Sequence, residues 1–309
     1  MIQKELVKKI ISNVEKSILG KGHEITDIVK GILAGGHILM EDVPGVGKTT
    51  LAKALAKTVN LQCKRIQCTP DLLPSDILGV SIYNQKSQQF EFKKGPVFTN
   101  ILLADEINRT SPKTQSALLE VMEEEQVSDG NETYYLEAPF IVIATQNPVE
   151  QQGTFMLPEA QLDRFMIKVK LGYVDAETES NILETLNERK ETLEPIVDGK
   201  DILELQRQVR KVHAAKPLLD YIVNIIQYSR VSKYIALGGS TRASIALLRT
   251  SQAMAFINGR DYIIPDDVKK NVYQVLCHRI ILSPVARANS MNEMDVVSDI
   301  LDRISIPRY

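Results

Sequence analysis

The residues with the clearest chemistry form the stretch Pro44-Gly45-Val46-Gly47-Lys48-Thr49-Thr50, which lies between a predicted strand and a predicted helix. Glycines let the backbone come close to a phosphate chain, so that backbone N–H groups face the phosphate oxygens. The positive end of the following helix points at the same anion. Lys48 is then placed to reach the outer phosphates, and the Thr49 hydroxyl to bind Mg²⁺. The stretch predicts a phosphate-binding loop for ATP and Mg²⁺.

One position departs from the usual pattern of such a loop. The common motif has a glycine six residues before the lysine, and Asp42 stands there in this sequence. Aspartate tolerates left-handed backbone better than most residues, so the turn can still form. The simpler alternative is an ordinary glycine-rich turn, which the flanking strand and helix disfavour.

Two carboxylates follow the apolar run Ile101–Ala104, which is predicted to be a buried strand. Asp105 and Glu106 would then lie at the carboxyl edge of a sheet, where α/β proteins bind their ligands. Asp105 is expected to contribute to the Mg²⁺ shell and Glu106 to polarise the attacking water. A solvated strand end is the alternative for the pair taken alone.

Three further residues are candidates for positioning and charge stabilisation. Asn147 follows the predicted strand Phe140–Ala144 and can hold the water in line, although in isolation an ordinary Asn-Pro loop is the better explanation. Arg164 lies in a helical stretch before another strand, where the alternative is a surface ion pair of little energy. Arg242 lies in the first turn of a predicted helix, where a cation opposes the helix dipole. A nearby phosphate would remove that conflict.

The elements that must position these residues fall into two groups. Strands alternate with helices up to Tyr173, which predicts an α/β domain with a parallel sheet over residues 1–173. The rest of the chain, 174–309, reads as helices without clear strands, and so predicts an all-helical lid. Two hairpin insertions are expected near residues 79–93 and 126–136, the second turning at Asp129-Gly130.

The order of these motifs resembles that of AAA+ ATPases of the MoxR family. The matching segments are "LMEDVPGVGKTTLAKALA", "LLADEINRTSPKTQSALLEVMEE", "IATQNPVEQQGTFMLPEAQLDRF" and "GGSTRA", and the resemblance extends over essentially the whole chain. It implies an ATPase in which Lys48 and Thr49 belong to Walker A, and Asp105 and Glu106 to Walker B.

The resemblance also assigns roles to residues whose own chemistry is less specific. It implies that Asn147 is sensor 1, that Arg242 is sensor 2, and that Arg164 is an arginine finger given to a neighbouring subunit. Because Arg242 follows a glycine pair that can hinge the lid, it is expected to act on its own subunit's nucleotide. Gly20 is expected near the adenine, and Arg109 near the neighbouring subunit.

The resemblance further implies a ring, expected to be a hexamer, that remodels or matures client protein complexes, often beside a von Willebrand A domain partner. Aromatic residues on the two hairpins are expected to contact the client: Tyr83, Phe92, Tyr134 and Tyr135. Three other functions stay open, namely a nucleic-acid motor, a metal-chelatase motor subunit and a weakly hydrolysing nucleotide-gated scaffold.

Charge, hydrophobic pattern and cysteine content bear on the choice among these functions and on the location of the protein. The formal net charge of −2 argues against sequence-independent nucleic-acid binding, which needs a basic surface. The longest apolar runs have the length of strands, so no membrane span is expected. The N-terminus is predicted to be an amphipathic helix rather than a signal peptide. Three cysteines fit a reducing compartment, and the cytoplasm is the expected location.

Overall fold

The computed structural model describes residues 2–41, 45–130, 132–147, 153–184 and 193–307. Its centre is a five-stranded sheet in the order β2-β5-β8-β1-β9, and every neighbouring pair is parallel. The strands are β1 (His37–Glu41), β2 (Cys63–Gln67), β5 (Ile101–Asp105), β8 (Ile141–Gln146) and β9 (Phe165–Val169). The predicted parallel α/β sheet is therefore confirmed.

The two faces of the sheet are buried against different helices. Alternate residues of β5 point to opposite sides, so Leu103 packs with α1 (Ile2–Glu15), α2 (Gly22–Leu33) and α3 (Lys48–Thr58), while Leu102 packs with α5 (Pro112–Glu124). The central strands β1, β5 and β8 are buried on both faces and therefore read as largely apolar runs, which is why the sequence pattern located them.

Two hairpins lie outside the sheet, close to the predicted ranges. The first follows α4 (Pro74–Leu78) and consists of β3 (Gly79–Asn84) and β4 (Gln89–Lys94); the second consists of β6 (Gln126–Asp129) and β7 (Glu132–Tyr135). They contact each other, because the Phe92 and Tyr134 rings stack at 4.3 Å and Ser81 donates a hydrogen bond to Asp129. Tyr83 also packs edge-on against Phe90, so three of the four aromatic residues expected at a client surface contact other rings of the protein, whereas Tyr135 is 74% exposed.

The C-terminal part is helical, as predicted. It follows α6 (Glu159–Leu162) and β9, and its helices are α7 (Ala176–Glu184), α8 (Gly199–Arg210), α9 (Lys216–Val231), α10 (Thr241–Ile257), α11 (Pro265–Leu276), α12 (Pro284–Ala288) and α13 (Glu293–Arg303). One short antiparallel pair, β10 (Ile235–Leu237) with β11 (Ile281–Leu282), was not expected, because two- and three-residue strands leave no period to detect.

The lid packs directly on the sheet domain. A buried lysine, Lys30 of α2, pairs with Asp27 and donates to Gln274 of α11. Burial lowers the pKa of Lys30, and Asp27 opposes that shift.

The domain boundary near residue 174 stays a prediction. Within the described ranges, no helix is long and apolar enough to cross a membrane.

Candidate active site

The phosphate loop leaves β1 and enters α3. Gly45 and Gly47 have φ values of +89° and +88°, a left-handed backbone that favours glycine. Gly47 is the residue immediately before α3, so the helix begins with Lys48 and Thr49, both half-buried. Val46 is also half-buried, and Gly45 and Thr50 are exposed. The predicted contributions of Pro44 and Asp42 lie outside the described residues.

Asp105 ends β5 at the same edge of the sheet. Its Oδ1 accepts a hydrogen bond from the Thr145 hydroxyl at 2.7 Å, and its Oδ2 accepts from Nη2 of Arg65 at 2.6 Å. The same Thr145 oxygen accepts the backbone N–H of Glu106 at 2.8 Å. Thr145 is fully buried on the neighbouring strand β8, so one hydroxyl fixes both acidic residues.

Glu106 has an unusual backbone conformation. Its φ is +57°, which is rare for a residue with a side chain and occurs often at functional sites. Its Oε2 accepts from Nε2 of Gln67 at 3.0 Å and forms an ion pair with Nε of Arg109 at 3.2 Å. Arg109, expected to face a neighbouring subunit, thus contacts the Glu106 of its own chain.

Asn147 and Gly20 are the remaining predicted residues on this side. Asn147 follows β8 directly and is buried, with its carbonyl accepting from Asn108 at 3.4 Å. Gly20 has a φ of +73°, and a Cβ there would lie 2.7 Å from Thr178 of α7. Nearby, Lys21 donates to the Tyr173 carbonyl at 2.8 Å, where the chain enters the lid.

The oxygen donors of this edge fit Mg²⁺. Magnesium in phosphoryl-transfer sites takes one or two protein oxygens and completes its shell with phosphates and water. Thr49 and Asp105 supply a hydroxyl and a carboxylate, and the Asp105 side chain is only 12% exposed, at the edge that also has the phosphate loop.

A cysteine lies next to these acids. Burial raises the pKa of Cys68 to about 12, and the negative charges of Asp105 and Glu106 add to that shift, so the thiol stays protonated.

The two remaining arginines lie together, away from this edge. Nη2 of Arg164 is 3.1 Å from Oε2 of Glu123, and Arg242 donates to Oε1 of the same carboxylate. They line an open cleft of about 180 Å³ with Asp163 and Arg279. Nε of Arg164 is buried and has no acceptor within the described part of the chain.

This cleft is at the opposite end of the sheet from the phosphate loop. Arg164 precedes β9, and Glu123 follows Met122, whose carbonyl accepts from Nε2 of His37 at the start of β1. β1 has five residues, so the two ends are roughly 13 Å apart along the strand, at about 3.3 Å per step. In this arrangement Arg242 lies away from its own phosphate loop, and the Glu123 carboxylate offsets the conflict of its charge with the helix dipole. Whether Arg242 acts on its own subunit's nucleotide stays a prediction.

Lid residues hold the segment that carries Arg164. Arg279 is 5% exposed, and its Nε donates to Oδ1 of Asp163 at 2.8 Å. Burial lowers the pKa of Arg279 to about 10, while Asp163 opposes that shift, so the guanidinium is charged at neutral pH. Burial, followed by the charge of Arg279, lowers the pKa of the neighbouring His278.

Several of these residues were not identified from the sequence. They are Arg65, Gln67, Glu123, Thr145 and Arg279. Gln67 is the last residue of β2 and Thr145 the last but one of β8, at the same edge as Asp105, so their place in a parallel sheet was a usable signal. Glu123 lies in an acidic run that reads as a solvated helix face, and Arg279 has no local pattern.

Family models match two parts of the chain. Residues 37–167 match a model described as the ATPase family associated with various cellular activities (AAA), and residues 227–300 match the AAA lid domain. These ranges contain the sheet with its phosphate loop and most of the helical lid.

Whole-chain comparisons give the same picture. The chain is 47% identical over 305 residues to uncharacterized protein YeaC of Bacillus subtilis, covering 98% of this chain and 95% of the relative. It is 38% identical over 311 residues to Chaperone MoxR1 of Mycobacterium tuberculosis, covering 98% and 82%. The crystal structure of a presumed ATPase of Cytophaga hutchinsonii superposes with a TM-score of 0.93 at 45% identity, over 99% and 96% of the two chains.

Proposed function

This chain belongs to the MoxR family of AAA+ ATPases, and from that premise we propose that it hydrolyses Mg-ATP at the interfaces of a homo-oligomeric ring and uses the energy to remodel client protein complexes. The observation that carries the ring is the place of Arg164 and Arg242. Both bind Glu123 beside an open cleft, at the end of the sheet away from their own phosphate loop.

In this proposal each residue of the phosphate edge has a distinct role. Lys48 binds the outer phosphates, Thr49 and Asp105 would hold the magnesium ion, Glu106 polarises the attacking water, and Asn147 holds that water in line. The bound ion neutralises charge on the phosphate oxygens. Thr145 keeps Asp105 and Glu106 in register.

The arginine cleft would serve the next subunit. Arginine stabilises charge that develops on the phosphoryl group in the transition state, and a finger supplied in trans is worth about 10³–10⁵ in rate. Since Arg164 and Arg242 share one carboxylate, both act on the same neighbouring nucleotide in this proposal.

Mixing inactive variants tests this arrangement. An Arg164→Ala subunit has an intact phosphate loop, whereas a Lys48→Ala subunit has intact arginines. At some interfaces of a mixed ring the two intact halves meet, so ATPase activity should return. Arg242→Ala mixed with Lys48→Ala should also regain activity.

Each outcome separates the alternatives. If Arg242→Ala is not rescued while Arg164→Ala is, Arg242 acts on its own nucleotide after a rearrangement of the lid. If neither is rescued although light scattering shows mixed rings, the trans arrangement is incorrect. Mixing Arg164→Ala with Arg242→Ala is the control, since each ring interface with one missing arginine should stay impaired.

Two observations support the client function. One relative is named Chaperone MoxR1, and Tyr135 on the second hairpin is exposed. We keep the hexamer, the von Willebrand A partner and the cytoplasmic location as parts of this proposal. The three free cysteines agree with a reducing compartment.

A further inference from the structure

The segment that carries Arg164 is fixed by the helical lid. Arg279 follows α11, and its Nη2 donates to the carbonyls of Asp163 at 3.2 Å and Phe165 at 2.5 Å. Its Nη1 donates to the Met166 carbonyl at 3.2 Å, and its Nε to the Asp163 carboxylate at 2.8 Å. One buried guanidinium thus bonds to residues on both sides of Arg164.

A second lid residue binds the same aspartate. The hydroxyl of Ser240 donates to Oδ2 of Asp163 at 2.7 Å, while Oδ1 receives Arg279. Ser240 is also the N-cap of α10, and its oxygen accepts the backbone N–H of Arg242 at 3.0 Å. The carboxylate of Asp163 therefore connects the backbone before Arg164 to the helix start that carries Arg242.

The chemistry of this contact requires arginine. A buried ion pair is stable only when further hydrogen bonds satisfy both partners, and here backbone carbonyls take up the remaining guanidinium donors. Lysine keeps the charge, but its three donors radiate from a single nitrogen, so it cannot match the planar fork by which Arg279 reaches the Asp163 carboxylate and several separated carbonyls at once. A change from Arg279 to lysine should loosen the Arg164 segment without removing the charge.

We propose that Asp163, Ser240 and Arg279 form a positioning node through which the lid holds Arg164 and Arg242 at the spacing that the neighbouring subunit's phosphate needs. The inference rests on the proposed trans action of the two arginines. It assigns to the lid control over the nucleotide of the next subunit, because the lid must keep its present position for both arginines to be presented.

The first test is Arg279→Lys in the full-length chain. Misplacing a catalytic group by about 1 Å can cost on the order of 10²-fold in rate, so kcat should fall by roughly 10- to 100-fold, with the KM for ATP little changed. The matched control is Arg260→Lys, which also alters an arginine–aspartate pair of the lid, with Asp267, but lies outside the node. That control should retain the parental kcat.

Complementation then distinguishes positioning from a general structural defect. Arg279→Lys subunits should keep a working phosphate loop, so mixing them with Lys48→Ala subunits should restore ATPase activity. Mixing them with Arg164→Ala subunits should not, because neither subunit then supplies properly placed arginines.

Three results of these experiments would contradict the proposed node. A parental kcat in Arg279→Lys, or a loss that Lys48→Ala subunits cannot rescue, overturns the node. If Arg164→Ala itself is not rescued by Lys48→Ala, the proposed trans function fails and this inference fails with it.

A second variant covers the case in which Arg279→Lys does not fold. Ser240→Ala removes the hydroxyl that bonds to Asp163, and Ser240→Thr retains it. Ser240→Ala should lower kcat and be rescued by Lys48→Ala subunits, whereas Ser240→Thr should resemble the parent. Equal activity of the two variants would contradict the proposed node.

Discussion

At the scale of single residues, the acidic pair of the phosphate edge depends on one hydroxyl. Thr145 donates to Asp105 and accepts the N–H of Glu106, whose left-handed backbone needs support from its surroundings. A residue that bonds both acids without being acidic itself escapes any search for carboxylates. Its position near the carboxyl end of the apolar strand β8 is its main signal.

The corresponding prediction compares Thr145→Val with Thr145→Ser. Valine has the same shape but leaves the N–H of Glu106 and an oxygen of Asp105 without their buried partner, a loss worth about 1–3 kcal/mol. We expect kcat to fall at least about tenfold with valine and to stay near the parental value with serine, measured by steady-state phosphate release. Full activity in the valine variant would show that Thr145 does not position the two acids.

At the scale of elements, the start of β1 is joined to α5 by a buried histidine. Nδ1 of His37 accepts the N–H of Val142 at 3.0 Å, and Nε2 donates to the Met122 carbonyl at 2.9 Å. These two bonds require the neutral ring. Burial lowers the pKa of His37 to about 4, outweighing the hydrogen bond to Met122. The contact also places the end of α5, where Glu123 lies.

Stability should therefore fall as the pH drops through the window between 6.5 and about 4. In that range His37 binds a proton in the unfolded chain but not in the folded chain, so the free energy of unfolding decreases as the pH falls. For this one residue the loss at pH 5 relative to pH 7 should be on the order of 2 kcal/mol, at about 1.4 kcal/mol per pKa unit. His278, whose pKa burial also lowers, adds to the loss.

Urea unfolding at pH 7 and pH 5 measures this effect. His37→Asn cannot take up the proton, so its stability should change less between the two pH values than that of the parent. The variant will be less stable at pH 7, and the comparison is therefore made between pH differences rather than absolute values. An unchanged pH difference in His37→Asn would assign the acid sensitivity to other groups.

Elements were easier to predict than the contacts between them. The parallel sheet, the hairpins and the helical nature of the lid follow from hydrophobic period and turn residues, which are local properties of the sequence. The stacking of Phe92 on Tyr134 joins two hairpins that are separate in sequence, and no local pattern indicates it. A client surface inferred from aromatic composition alone thus included residues that stabilise the hairpins themselves.

In the candidate site, too, contacts between residues that are distant in sequence could not be predicted. The glycines of the phosphate loop and the acids after β5 lie in contiguous motifs, so sequence spacing was sufficient to find them. The side on which Arg242 acts depends on how the lid packs against the sheet, through contacts such as that of Arg279 with Asp163 across 116 positions. Sequence separation of this size leaves no periodic signal, so the pairing of Arg242 with Glu123 could not be predicted from the sequence.

At the scale of the whole molecule, the two ends of the sheet, where its parallel strands finish and where they start, have complementary chemistry. One end has a phosphate loop, with Lys48 at the start of α3, and the other has Arg164 and Arg242 on a single carboxylate. A second copy of the chain can join the two ends only head to tail, which produces a ring when the rotation closes. In the proposed assembly, ATP is shared between subunits, and binding of nucleotide and association of subunits become linked.

Linkage gives the last prediction. If the arginines of one subunit bind the phosphate of the next, ATP must tighten subunit association, and association must raise ATP affinity by the same factor. In the Glu106→Gln background, where slow turnover keeps ATP bound, we expect saturating ATP to lower the dissociation constant of the assembly by roughly 5- to 150-fold, the usual range for coupled sites. Sedimentation velocity across a dilution series measures the first effect. Titration of ATP at low and high protein concentration measures the reciprocal one.

The arginines can be separated from other effects of nucleotide in the same background. Adding Arg164→Ala and Arg242→Ala should remove both the ATP-dependent tightening and the concentration dependence of ATP affinity, because the shared contact is gone. Adding Arg260→Lys, which alters a lid ion pair away from the cleft, should leave both effects in place. Should the double alanine variant retain the full ATP effect, nucleotide would tighten the assembly by a route other than these arginines, for example by moving the lid of the subunit that binds it.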